Sequence, residues 1–259
     1  MRIAVLGASG AAGRAFVSRA AAHGHLLVTT RTDIFDRDAL TAVLQGCDAA
    51  VNLVTSIPKP GGRGDWTVND RIRREGTANV LAACQAAGVE RLVQLSVAML
   101  HCVADDRPQT EDDPIEGYGR IASAFDMEQL VRAAPLDARV VRGGLFYGPE
   151  TWREALWLDE VRDAAFRVPG DGSAWQSLVH VEDYAEALVV VLERGRPANA
   201  YIACDDEPLQ LHDLYARVAA RAGLAAPGAG GPFRLRSFRV SNAKLRALGW
   251  RASHAVLAP

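Results

Sequence analysis

The chain has little cysteine and no surplus of charge. Cys47, Cys84, Cys102 and Cys204 lie far apart, with no Cys-x-x-Cys pair and no histidine partner at metal-ligand spacing. That distribution argues against a zinc site or a disulfide framework and fits a reducing, cytoplasmic setting. The net charge is −2, from 29 Lys and Arg against 31 Asp and Glu, and the two signs are interspersed. There is thus no basic footprint for nucleic acid or an anionic membrane, and neither is expected as a partner. Long apolar runs are missing too, none reaching the roughly 18 uncharged residues that a spanning helix needs. The N-terminus enters an apolar strand at "RIAVLG", without the basic stretch, apolar stretch and cleavage site of a leader. There is no internal repeat or low-complexity tract, and 259 residues are enough for one α/β domain with a smaller lobe and a core of its own.

What is present is alternation. Short β-branched or Leu-rich runs alternate with longer Ala-rich segments of helical period, the pattern of a parallel sheet covered by helices on both faces. Strands are expected at "RIAVLG", "LLVTT", "DAAVNLV", "RLVQLSV", "ARVVRGGL" and "AYIACD". Helices are expected over 11–23, 38–46, 68–87, 118–134, 153–165, 182–194, 211–222 and 241–248. Gly24, Gly88 and Gly249 stand where a helix ends on a left-handed residue. Loops rich in Pro and Gly at 57–64 and 226–232 are candidate flexible segments.

"VLGASGAAGRAF" reads strand, then Gly7-x-x-Gly10-x-x-Gly13, then helix. Gly7 permits the tight turn, Gly10 lets the backbone approach a pyrophosphate, and Gly13 lets helix pack close to strand. The helix N-terminus offers free N–H groups and a positive dipole end to phosphates. A bare strand–helix turn without ligand is the bland alternative, and the position directly after an N-terminal strand favours dinucleotide binding. The fold class expected is therefore α/β, a doubly wound, Rossmann-like parallel sheet with a small C-terminal substrate lobe. Residues 1–150 form the dinucleotide-binding core and 151–259 the lobe, with 175–205 returning to the core in one integrated domain.

In order along the chain, "VNLV", "VNDRIRREGTANVLAACQAAGVERLVQLS", "VVRGGLFYGPE", "SLVHVEDYAEALVVVLE" and "SNAKLRALGW" resemble segments of the extended short-chain dehydrogenase/reductase family, also called the NAD-dependent epimerase/dehydratase family. The resemblance implies an NAD or NADP cofactor and a small-molecule substrate. It places Gly7, Ser9, Gly10, Ala11, Gly13, Arg31, Asp33, Ile34, Leu53, Ser96 and Tyr118 at the cofactor. Arg31 would face a ribose 2′-phosphate, favouring NADP, with Asp33 and Ile34 near the adenine. Helices 68–87 and 118–134 would form the interface of a homodimer.

Three departures bear on activity. The family's loop, helix and third strand after its second strand are missing, because "LLVTTRTDIFDRDAL" joins the flanking elements almost directly. The lost strand would lie at the sheet edge, so the middle need not open. The family's catalytic Ser/Thr is the second residue of a Ser-Ser pair, and here the pair reads Ser96-Val97. Successive strand residues point to opposite faces, so Ser96 does not replace the lost hydroxyl unless the register shifts. The catalytic lysine four residues after the tyrosine is Ala122, which leaves Tyr118 without it.

A phenol titrates near 10 in water, and the family's lysine supplies the charge that favours phenolate while holding the nicotinamide ribose. Its loss, together with the absent hydroxyl at Val97, removes contributions of roughly 10²–10⁴ in rate. A standard alcohol–ketone hydride transfer is disfavoured. Arg120 is rotated away from the face shared by Tyr118 and Ala122 and reads as a solvated or phosphate-contacting residue, and Arg142 as structural. His101 is the second catalytic candidate, since an imidazole with a reference pKa of about 6.5 suits acid–base work near neutrality. His180 is expected to fix the join between lobes and Asp183 to cap the next helix. Val97, Trp152, Trp175 and Arg236 are the candidate substrate contacts. Trp157 is weighed with the two tryptophans, between an aromatic site and ordinary packing. The run "RIRRE" reads as a solvated helix face.

Three functions fit these residues. One is a nicotinamide-dependent enzyme acting on a hydroxylated or carbonyl-bearing sugar or natural-product intermediate. Another is a non-redox isomerase, lyase or cyclase using Tyr118 as hydrogen-bond donor. The last is a non-catalytic dinucleotide-binding protein.

Overall fold

The computed structural model describes residues 1–59, 65–102, 107–232 and 236–254. From β1 (Arg2–Leu6) the chain passes through the glycine loop into α1 (Ala11–Ala22), then β2 (Leu26–Val28), α2 (Arg37–Leu44) and β3 (Ala49–Asn52). A long helical stretch follows as α3 (Trp66–Arg71), one π-helical turn (Ile72–Gly76) and α4 (Thr77–Ala87). Next come β4 (Arg91–Val97), α5 (Ala122–Ala133), β5 (Asp137–Gly143), β6 (Leu145–Tyr147), α6 (Arg153–Arg162), β7 (Val168–Pro169), β8 (Trp175–Gln176) and β9 (Leu178–His180). The chain continues with α7 (Val181–Arg194), β10 (Ala200–Ala203), β11 (Leu209–Gln210), α8 (Leu211–Arg221), β12 (Ala229–Gly231) and α9 (Ala243–Ala247).

The central sheet is parallel, in the order β10-β5-β4-β3-β1-β2. Strand alternation sorts its side chains between two cores. Ile3, Val5, Val51, Val93 and Leu95 pack with Phe16 of α1 and with Tyr184 and Leu188 of α7. Ala4, Leu6, Ala50 and Leu92 pack with Leu40, Val80, Cys84 and Val131 from α2, α4 and α5. A third core, with Trp157, Phe166, Leu214 and Tyr215, forms beneath α6 and α8.

β2 is the sheet edge, and among the described residues no strand lies between it and α2. Instead Asp33 Oδ1 accepts the N–H of Phe35 at 2.9 Å, and Asp36 caps α2 through Ala39 N at 2.9 Å. Asx chemistry thus turns the chain from strand to helix within eight residues. Helix α4 ends on Gly88 at φ 71°, and Gly24 and Gly249 also have positive φ, at 78° and 97°.

Several boundaries differ from those expected. The strand at "LLVTT" stops at Val28, and the helix expected over 153–165 ends at Arg162. The helix expected from 68 starts at Trp66, where Asp65 caps it, and is interrupted by the π turn. Part of the 226–232 loop is β12, paired with β7, and residues 60–64 of the other loop lie outside the described residues. The short strands of the lobe have no local periodicity to announce them, since their partners come from distant segments.

Candidate active site

At the glycine loop, backbone leaves no room for side chains. A Cβ on Gly7, at φ 86°, would lie 2.8 Å from the carbonyl carbon of Leu53, and one on Gly13 would lie 2.1 Å from the carbonyl oxygen of Gly7. Gly10 differs, because the nearest atom to its Cβ position is 3.6 Å away and no side chain caps α1 there. Ser9 and Gly10 are exposed, and Ala11 begins the helix. A tight cradle that opens at Gly10 onto uncapped helix N–H groups fits the pyrophosphate of a dinucleotide. Arg14, which attracted no notice in the sequence, bonds the carbonyl of Ser9 and pairs with Glu150 across the loop.

Arg31, Asp33 and Ile34 lie in the join between β2 and α2. Arg31 is exposed just beyond β2, and Asp33 is exposed with its carboxylate engaged in the turn. Ile34 turns its side chain into the core, where it sits against Gly76, and its carbonyl accepts Asn79 Nδ2 at 3.2 Å.

Val97, Leu100, Ile121 and Ala124 form a small apolar cluster against which Tyr118 and Phe125 pack. Tyr118 precedes a single 3₁₀ turn (Gly119–Ile121), so it and Val97 meet while Ala122 opens α5. Burial pushes the Tyr118 phenol up to about 12, with Cys102 and Glu116 acting in the same direction. Arg236 opposes this, its guanidinium lying 4.1 Å from the ring centroid and 3.4 Å from Glu116. The phenol is therefore a neutral donor at physiological pH.

Ser96 and His101 have a different use. Ser96 Oγ donates to Glu128 Oε1 at 2.6 Å, and Arg142 binds the same carboxylate through Nε at 3.0 Å and a terminal nitrogen at 2.6 Å. Arg142 also donates to His101 Nε2 at 2.9 Å. Glu128, Arg142 and His101 are fully buried, and Ser96 nearly so. Ser96 and Arg142 are register partners on β4 and β5, so strand alternation directs both to the α5 face, away from Val97. Burial, then Arg142, pull the pKa of His101, the second catalytic candidate, down to about 3.

Among the tryptophans, Trp157 is core, whereas Trp152 and Trp175 are partly exposed and lie under Arg153 and Arg239, at 4.6 and 4.3 Å. The cap of α7 comes from His180, whose Nδ1 accepts Glu182 N at 3.3 Å. Asp183 instead accepts the N–H groups of Ser253 and His254, both at 3.0 Å, and ties the C-terminal segment to α7. His180, Glu182 and His254 bring possible metal-ligand atoms within 4.8 Å of one another, with the two imidazoles stacked at 3.6 Å. Among the described residues no helix is long and apolar enough to cross a membrane.

A doubly wound parallel sheet whose first strand runs through a glycine cradle into a helix N-terminus defines a dinucleotide-binding α/β protein. A family model for the NAD dependent epimerase/dehydratase family matches residues 3–204, and the chain belongs to that family. A 3-diazoavenalumate denitrifying reductase from a Streptomyces species is 28% identical, covering 98% of this chain and 89% of its own. Among solved structures, DesIV, a dTDP-glucose 4,6-dehydratase from Streptomyces venezuelae with NAD and TYD bound, superposes with a TM-score of 0.84 at 23% identity, over 98% of this chain and 93% of its own. RMD from Pseudomonas aeruginosa, complexed with NADPH, gives 0.82 at 22% identity, over 99% and 95%. The similar proteins thus include a reductase and a dehydratase, with either NAD or NADPH bound in the structures.

Proposed function

We propose that this protein is an NAD(P)-dependent reductase of a small natural-product or sugar intermediate, and that its hydride acceptor needs no lysine-assisted phenolate. The observation that carries this reading is the intact glycine cradle beside a site where Tyr118 stays protonated and Val97 and Ala122 replace the family's other catalytic groups. The dinucleotide supplies hydride when bound, with Gly7, Gly10, Gly13 and the first turn of α1 around its pyrophosphate and Leu53 behind the turn. In this reading Arg31, exposed just beyond β2, receives a ribose 2′-phosphate and favours NADP.

Tyr118 then acts as a hydrogen-bond donor to the substrate, and Arg236 receives a substrate anion while holding the ring from the other side. Trp152 and Trp175 offer aromatic surface. One donor gives an alkoxide weak support, so an acceptor that builds up no oxyanion suits the site better than a ketone. The relative named for a diazo acid supports this preference. Hydride added to a diazonium group gives the C–H product and dinitrogen, with no charge left on oxygen. A homodimer through α3, α4 and α5 is part of the proposal, since Val68 and Leu130 on these helices are 45% and 37% exposed.

The test is consumption of NADH or NADPH with an aromatic diazo acid and, separately, with a β-keto acid. Turnover of the former, reduced roughly 10²–10³-fold by Tyr118→Phe, is expected. The double change Val97→Ser with Ala122→Lys is expected not to speed the native reaction. A gain of orders of magnitude would instead make the chain a damaged carbonyl reductase. If neither dinucleotide bound, a non-redox isomerase or lyase using Tyr118 would be the better reading.

A further inference from the structure

The basic run at residues 71–75 is not a uniformly solvated face. Arg71 pairs with Glu75 at 2.9 Å and Arg74 with Asp126 at 2.8 Å, both outside, but Arg73 is buried, at 4% exposure. It lies in the π-helical turn, a distortion found often at functional sites. One terminal nitrogen of Arg73 donates to Ser123 Oγ at 3.3 Å and to the carbonyl of Arg120 at 3.4 Å. These two residues flank Ala122, the position where the family's cation is missing.

The partners of Arg73 are neutral. Ser123 is itself committed to Asp70, donating at 2.6 Å, and among the described residues Arg73 makes no ion pair. Arg142 offers the contrast, because its buried charge meets Glu128 at 2.6 Å. Burial pulls the Arg73 pKa down to about 10, with Asp70 opposing, so it remains a cation near neutrality. Buried Asn69, one turn earlier, bonds Ser56 N through its oxygen at 2.9 Å, while its Nδ2 has no partner among the described residues. Through Ser56 N, Asn69 reaches the loop after β3 at the carboxyl ends of the strands, where dinucleotides lie in such sheets.

We propose that Arg73 supplies, from the π turn, the fixed cation that the family places at position 122, and that it holds the ribose end of the nicotinamide dinucleotide. The two duties of the lost lysine are thereby divided, with Arg236 beside the Tyr118 ring and Arg73 bonded to Arg120 and Ser123 on either side of Ala122. This inference rests on the cofactor reading above and deepens it.

The experiment titrates NADH and NADPH by calorimetry into wild type, Arg73→Met, Ala122→Lys and the double variant. Arg73→Met is expected to weaken binding roughly 10- to 100-fold, the worth of a hydrogen bond to a charged group. Ala122→Lys in that background is expected to restore most of the affinity, which a packing role for Arg73 would not permit. In wild type, Ala122→Lys is expected to bring no gain, because a cation already stands there. Unchanged affinity in Arg73→Met, or loss without rescue, overturns the proposal. Should Arg73→Met fail to fold, the single Ala122→Lys variant decides, since a tenfold gain would show the cation position vacant. Failure of wild type to bind either dinucleotide would instead sink the cofactor reading and this inference with it.

Discussion

Replacing Glu128 by Gln keeps the size of the side chain and removes the charge that faces Arg142 in a fully dehydrated site. The carboxylate takes Ser96 Oγ at 2.6 Å and two nitrogens of Arg142 at 3.0 and 2.6 Å. A Gln amide would accept with one oxygen and turn a donor toward a donor. Removing one partner of a buried pair costs about 3–5 kcal/mol, because the other charge is left without compensation. Against a total of about 5–15 kcal/mol that loss is large, and a fall in Tm of roughly 6–20 °C is expected. Urea denaturation followed by circular dichroism gives the measurement, with the midpoint shifted and the slope unchanged. The double variant Glu128→Leu with Arg142→Met removes both charges and should recover much of the loss. The remaining deficit, about 1–3 kcal/mol, belongs to the hydroxyl of Ser96 and the imidazole of His101 left without partners. A single-variant effect below about 1 kcal/mol, the scale of an exposed pair, would refute the assignment of this network as a dehydrated structural unit.

His101 links the same network to pH. Its folded pKa of about 3 lies below the ordinary 6.5, so as pH falls from 6.5 toward 3 the unfolded chain takes up a proton that the folded chain refuses. Stability should therefore decline through that window, and His101→Asn should flatten the decline relative to wild type when unfolding free energies at pH 7 and pH 4 are compared. Gly13→Ala places a methyl 2.1 Å from the carbonyl oxygen of Gly7, a backbone atom that cannot yield without moving the cradle. Loss of dinucleotide binding by calorimetry and a destabilisation of about 1–3 kcal/mol by denaturation are expected. Arg31→Ala should weaken NADPH about tenfold, the lower end for a charged hydrogen bond, and leave NADH unchanged. Equal affinities for both cofactors before and after would remove the basis for an NADP preference.

What the sequence by itself determined rests on short-range rules. Strand period separated Ser96 from Val97, glycine spacing placed the cradle after β1, and the Asp-rich join after β2 left no length for a third strand. Each depends on residues within a turn or two, so a local pattern suffices to read it. Only the tertiary structure decided which polar groups lie inside. Arg73 and Arg74 are neighbours in one basic run, yet one is buried beside Ser123 and the other pairs with Asp126 outside. His101 has a lowered pKa because the fold buries it, and Arg142, 41 residues away, adds to the effect. His180 rather than Asp183 caps α7, because residues 253 and 254 return to occupy the carboxylate. Burial and counter-ions come from segments far apart in sequence, and they set the charge a titratable group carries, which no local period encodes.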